Sequence, residues 1–164
     1  MNVNLVSQAF GALDQWVTEN GWAGYDPYDI RGQDLYVRLL GRQSWFFRKL
    51  RGVFAVVESR LPPAGLRSFL RIKKEINPKG MGLMASAYLT QWDLTAEQSY
   101  LDKAQSILSW LSANRCPDYP GASWGYPCHW QSRIFLPRGT PSVVVTATVG
   151  DAWLHHYELT RSAE

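Results

Sequence analysis

The sequence has no apolar run of the ~18 residues that a membrane-spanning helix needs. It has only two cysteines, Cys116 and Cys128, too few for a disulfide scaffold. Ahead of its first apolar residues, Met1-Asn2-Val3-Asn4-Leu5 carries no basic stretch, so no signal peptide is read. The expected compartment is the cytoplasm, with both thiols reduced. The nucleotide-binding pattern GxxxxGK[ST] and the GxSxG elbow are missing, and so are the CxxC and HExxH metal spacings. No helix-turn-helix, zinc-finger or RNP pattern is present, and no nucleic-acid partner is expected. No cofactor and no metal are expected either. Cys116, Cys128, His129, His155 and His156 are the residues from which a zinc site would have to be built, but their spacings fit none of the usual patterns.

What is present suits one folded unit. The 164 residues fit a single domain at ~100–200 residues per domain. With 46% hydrophobic and 19% charged residues, the composition is that of a globular chain and not of a disordered one. Aromatic residues reach 13%, including 8 Trp and 8 Tyr, and many of them fall in Gly/Pro-rich segments where a core does not need them.

Charge is unevenly spread. Arg38 to Lys74 holds ten basic residues and one acid, Glu58, for a net +9, and the remainder carries −6. Within this segment Phe46, Leu50, Val53, Phe54 and Val57 recur at helical spacing. That pattern fits a core helix and an interfacial helix equally well. Two readings stay open for the charge: a solvated helical face, or a contact surface for a partner subunit or an anionic membrane.

Periodicity predicts an all-α chain. A first helix is expected over Val3–Asn20, with Leu5, Ala9, Leu13, Trp16 and Val17 as its stripe and Gly21 as its stop. A second helical region is expected over residues 33–60, broken near Gly41 and ended by Pro62-Pro63. A short helix over residues 64–74 precedes Asn77-Pro78-Lys79-Gly80, which reads as a helix start. Thr95-Ala96-Glu97-Gln98 reads as a capping box opening the next helix. That helix carries Leu101, Ala104, Ile107, Leu108 and Leu111 on one face and ends at Asn114. A loop over residues 115–139 follows, and Thr140-Pro141 reads as N-cap and N1 of a last helix with Val144, Ala147, Ala152, Trp153 and Tyr157 on its stripe.

A weak echo links two places. Leu13-x-x-Trp16 runs to Asn20 and the aromatic turn after it, and Leu108-x-Trp110 runs to Asn114 and a second such turn. The offset is 94 residues, room for two helical hairpins. About three antiparallel hairpins fill the chain. Such an array has unfinished ends, and it caps them, pairs with a second copy, or belongs to something longer.

The segments Gly24-Tyr25-Asp26-Pro27-Tyr28-Asp29, Asn77-Pro78-Lys79-Gly80, Ser123-Trp124-Gly125-Tyr126, His129-Trp130-Gln131-Ser132-Arg133 and Pro137-Arg138-Gly139-Thr140-Pro141 resemble, in order, the N-terminal half of the α/α-toroid proteins encoded with bacterial surface-polysaccharide biosynthesis genes. Those are related to six-hairpin glycosidases and lyases. The resemblance implies half of an (α/α)6 toroid, with a cleft at one end and a glycan or glycan precursor as ligand. It also implies a second half-toroid or a second copy to close the ring, and hydrolase or lyase chemistry in a catalytic member.

A sugar site needs flat aromatic faces for pyranose rings and planar polar groups for hydroxyls. Trp22, Tyr25, Tyr28, Trp124, Tyr126 and Trp130 supply rings, and Gln131 and Arg133 supply polar partners. Asp26, Asp29 and His129 are the acid/base candidates: paired carboxylates serve glycoside cleavage, and histidine titrates near neutrality. Every second connection of an antiparallel array emerges at the same end, so loops two hairpins apart are expected to share one mouth.

Overall fold

The computed structural model describes residues 3–42, 44–131 and 135–161. The described residues are mostly helical, with seven helices and almost no strand. In chain order they are α1 (Val3–Asn20), α2 (Asp34–Leu40), α3 (Trp45–Glu58), α4 (Pro63–Phe69), α5 (Pro78–Thr95), α6 (Gln98–Ala113) and α7 (Val143–Thr160). Between α6 and α7 lies a two-stranded antiparallel ladder, β1 (Trp130–Gln131) with β2 (Phe135–Leu136).

The core is built on α5. Its Ala85, Tyr88 and Leu89 are buried against Ala104, Leu108 and Leu111 of α6 and against Val145, Val149 and Ala152 of α7. Fully burying one Leu- or Val-sized side chain is worth about 1.5–3 kcal/mol, so this cluster outweighs any single polar contact in the chain. Gly82 makes the α5–α7 packing close: a Cβ there would meet Thr148 O and Val149 Cα at 3.2 Å.

Helix α1 ends as expected, with Gly21 at φ +75° donating its N–H to Val17 O. Asn77 caps α5, its Oδ1 accepting the Lys79 N–H at 3.0 Å. The α6 stripe is buried as expected, and Asn114 is its C-cap.

Other expectations are corrected. Thr95 is no N-cap. It ends α5, where its hydroxyl donates to Gln91 O, and Glu97 stands at the start of α6. A two-residue link with Ala96 left-handed at φ 57° turns the chain there. Ser142, not Thr140, precedes α7, because Pro141 is held in a β-bridge with Gly125. The α7 face is rotated by one residue: Val145, Val149, Ala152 and His156 are buried, whereas Val144 and Tyr157 are exposed. The α1 face is rotated too. Leu5, Leu13 and Trp16 are exposed, while Phe10 places its ring edge-on to Tyr88 and Tyr100. Asp14 takes hydrogen bonds from Tyr88 Oη at 2.6 Å and Lys103 Nζ at 2.8 Å. Partners on α5 and α6, which helical spacing does not encode, decided that register.

Candidate functional site

One end of the bundle gathers every loop that the aromatic motifs occupy. The two-residue α5–α6 link makes these helices antiparallel, so the N-terminus of α5 lies beside the C-terminus of α6. Trp124 O accepts the Ser142 N–H at 2.9 Å, which sets the start of α7 at the same end. Gly24 and Glu75 exchange two backbone hydrogen bonds at 3.1 and 2.9 Å, which brings the loop after α1 there as well. Tyr28 of the first loop meets Trp130 of the third edge-on at 4.8 Å, and Trp130 stacks on Tyr126 at 5.0 Å. A residue larger than Gly at position 32 would run into the backbone of Cys128-His129.

A cavity of about 570 Å³ opens at this end, within the size range of small-ligand pockets. Trp16, Val17, Trp22, Met81 and Met84 form its apolar side. Asp26, Asp29, Arg71, Lys73, Glu75 and Arg138 supply its charge. Arg138 Nη2 pairs with Glu75 Oε1 at 2.7 Å, and both residues also border a shallower groove of about 410 Å³ beside Tyr126 and Trp110. The ion pair is thus a shared wall between two depressions.

Arg71 is brought in by a strained turn. Helix α4 ends in a Schellman motif, with Ile72 N–H bonded to Arg67 O and Arg71 N–H to Ser68 O. The residue at the left-handed position is arginine, at φ 53°, where glycine is usual.

The carboxylates differ in state. Asp29 is buried, and Arg67 Nε donates to both of its oxygens at 2.9 and 3.2 Å. Asp26 accepts the Tyr28 N–H at 2.9 Å, the Asx-turn that Asp-Pro favours, and Asn77 Nδ2 at 3.3 Å. Among the described residues Asp26 has no ion pair, so of the three wall carboxylates it is the one left unneutralised.

His129 is not among the cavity residues. Its Nδ1 accepts the Arg138 N–H at 2.9 Å, so the ring proton sits on Nε2 and is donated to Asp34 Oδ1 at 2.9 Å. Both ring nitrogens are spent, and the imidazole ties α2 to the third loop. Cys128 lines the cavity, and its thiol is pushed up to about 11 by burial, with Asp26 and Glu75 adding to it. Cys116 is a second free, buried thiol. Among the described residues no group of three or more His, Cys, Asp or Glu side chains is placed to hold a metal ion.

Of the expected rings, Trp22 and Tyr25 border the cavity. The Arg67 guanidinium carbon lies 4.7 Å from the centroid of the Tyr25 ring. Tyr28, Tyr126 and Trp130 form the stack between loops and do not reach that cavity. Trp124 is buried in the core at 4% exposure, its Nε1 donating to Leu111 O at 2.8 Å, so it offers no face there to a ligand. Gln131 is placed by its backbone in β1, paired with Phe135, and Arg133 lies outside the described residues.

The sequence alone does not single out Trp16, Arg71, Lys73, Glu75 and Arg138 as cavity residues: Trp16 falls in a helix stripe, and Arg71 and Lys73 fall in a charge run. Their one legible signal was position, within a turn or two of the loops that converge. Comparison with family models, with curated proteins and with solved structures finds no match for the chain.

Proposed function

We propose that this chain is a carbohydrate-binding protein of α/α-toroid type, concerned with surface-polysaccharide metabolism, whose cavity takes an acidic glycan. The observation that carries the reading is the make-up of the 570 Å³ cavity: indole rings of Trp16 and Trp22 on one side, and Arg71 and Lys73, which have no acidic partner among the described residues, on its wall. Apolar faces of pyranose rings suit the first, and a uronate carboxylate suits the second through charge-assisted hydrogen bonds. Where the bound glycan is also cleaved, β-elimination can use a single unpaired carboxylate as base, whereas hydrolysis needs a second carboxyl group released from its ion pair. Asp26 is then the acid/base group, since Asp29 is held by Arg67 and Glu75 by Arg138.

The test is a titration followed by tryptophan fluorescence, with oligogalacturonate against an uncharged maltooligosaccharide of the same length. The acidic ligand is expected to bind, and Lys73→Ala to weaken it by about tenfold, the worth of one charge-assisted hydrogen bond. Equal affinity for the two sugars, or none for any acidic glycan tried, overturns the reading. Turnover is followed by reducing ends and by the ultraviolet absorbance of an unsaturated uronate. Equal turnover by wild type and Asp26→Asn removes Asp26 from the chemistry.

A further inference from the structure

Helix α3 turns its main apolar stripe outward. Two of its polar side chains face the protein: Arg51 Nη1 donates to Leu40 O at 2.6 Å and to Arg42 O at 2.9 Å, and Glu58 Oε2 accepts Arg31 Nε at 2.8 Å. The Phe54 ring, beside them, meets Tyr36 at 5.0 Å. Most of its large apolar side chains face out, while Phe47 and Phe54 are half-buried. Phe46, Leu50, Val53 and Val57 follow at i, i+4, i+7 and i+11 and are 58%, 37%, 62% and 49% exposed. Trp45 and Val56 widen the stripe, and no residue of the helix is buried. A helix covered only by water would present the other face.

The cations around this stripe are also unspent. Arg38, Arg48, Lys49 and Arg60 have no acidic partner among the described residues. Lys49 lies 5.6 Å from the Trp45 ring, and Arg42 lies 5.7 Å from Phe47. Aromatic side chains beside long basic ones are the arrangement that seats a helix at a lipid headgroup boundary. Among the described residues no helix is long and apolar enough to cross a membrane, so the mode is docking and not spanning.

We propose that the exposed face of α3 docks on an anionic lipid bilayer, with Phe46, Leu50, Val53 and Val57 entering the headgroup boundary and the flanking arginines and lysines meeting lipid phosphates. A second copy fits this face poorly. Self-pairing would bring Arg48 and Lys49, neither of which has an acidic partner among the described residues, against the same cations of the second copy, while Glu58 of the helix is already held by Arg31. A bilayer rich in phosphatidylglycerol supplies both the apolar depth and the opposite charge.

The experiment is flotation of the full chain with vesicles of pure phosphatidylcholine, and of phosphatidylcholine mixed with phosphatidylglycerol. It is run at about 0.1 M and about 1 M NaCl, where the Debye length falls from ~10 to ~3 Å. The chain is expected on the mixed vesicles at low salt, and bound at least about tenfold less on the neutral ones or at high salt. Leu50→Glu with Val53→Glu removes binding through the apolar face, and Arg48→Glu with Lys49→Glu removes it through charge. All four sites are solvent-facing, so circular dichroism melts of both variants match wild type. Binding that ignores lipid charge, no binding to either vesicle, or well-folded variants that float like wild type overturns the proposal. So does a stable dimer in sedimentation velocity that Leu50→Glu dissolves, because the face is then a protein interface.

Discussion

Arg67 and Asp29, thirty-eight residues apart in the chain, form the most enclosed ion pair among the described residues, with side chains 18% and 7% exposed. The pair fastens the short helix α4 under the loop that carries Asp26, and Arg67 Nη2 also donates to Asp26 O at 3.1 Å. Removing one partner strands a buried charge. Arg67→Met is expected to cost about 3 kcal/mol in urea unfolding, whereas Asp29→Leu with Arg67→Met recovers most of it. A double variant no more stable than the single one would show that the pair is not what holds this loop.

Arg71 sets stability against binding. Its left-handed φ suits glycine, so Arg71→Gly is expected to raise stability by up to about 1 kcal/mol. The same change takes a cation from the cavity wall and weakens an acidic glycan. Thermal melts and the fluorescence titration, run on one preparation, check both signs. A variant that gains stability and keeps full affinity leaves Arg71 outside the site.

Two glycines separate close approach from open space. At Gly125 a Cβ would collide with the carbonyl of Thr140, so Gly125→Ala is expected to destabilise by about 1–3 kcal/mol and loosen the packing of Trp124. At Gly150, exposed on α7, nothing lies within 4 Å, and Gly150→Ala is expected to stabilise by about 0.5–1 kcal/mol through helix propensity. Near-ultraviolet circular dichroism and chemical unfolding report each.

Asp14 supplies an acid-dependent increment. Burial acts to raise its pKa, but hydrogen bonds from Lys103 and Tyr88 and the charge of Lys103 outweigh it, and the net shift is downward. A depressed carboxylate stabilises the fold above its unfolded pKa and loses that contribution as pH falls through the folded one. Stability is therefore expected to drop as pH falls below the ordinary aspartate range near 3.8, and Asp14→Asn flattens that limb. Unfolding midpoints measured down this range decide it, and an unchanged slope in the variant would assign the limb elsewhere.

Cys128 acts at the other extreme. Its thiol is raised from 9.0 to about 11, chiefly by burial, so the unfolded chain ionises first as pH rises. Stability is full below about 9 and falls between about 9 and 11. Cys128→Ser, whose hydroxyl does not titrate there, is expected to reduce this fall. At neutral pH iodoacetamide is expected to label the folded chain far more slowly than the urea-unfolded one, as intact-mass measurements would record. Equal labelling rates would place the thiol at the surface.

Of the core helices, α6 was legible together with its buried face. It shows its Leu/Ile stripe without ambiguity, because a helix packed mainly on one neighbour carries the 3.6-residue period openly. α1 and α7 were found with their ends correct within a few residues and their faces rotated. Val/Thr-rich α7 is apolar on several sides, and α1 mixes a half-buried Asp14–Tyr88–Lys103 contact with exposed leucines, so periodicity had no single stripe to lock on.

The site was legible as a place more than as a set of residues. That the turns around Trp22 and Trp130 would meet at one end followed from alternating helix direction. Which rings face a ligand did not: Trp124 and Trp22 occupy similar aromatic turns, yet one fills the core and the other borders the cavity.

By itself, the sequence determined the helical class, the stops at Gly21 and Asn114, the start at Asn77 and the concentration of positive charge from Arg38 to Lys74, since local backbone chemistry and composition act without distant partners. Tertiary structure alone decided that Arg67 would spend its charge on Asp29, that His129 would tie α2 to a loop, and that α3 would turn its apolar face outward. Each of those depends on which side chain arrives opposite another from dozens of residues away, and no spacing rule within a segment carries that information.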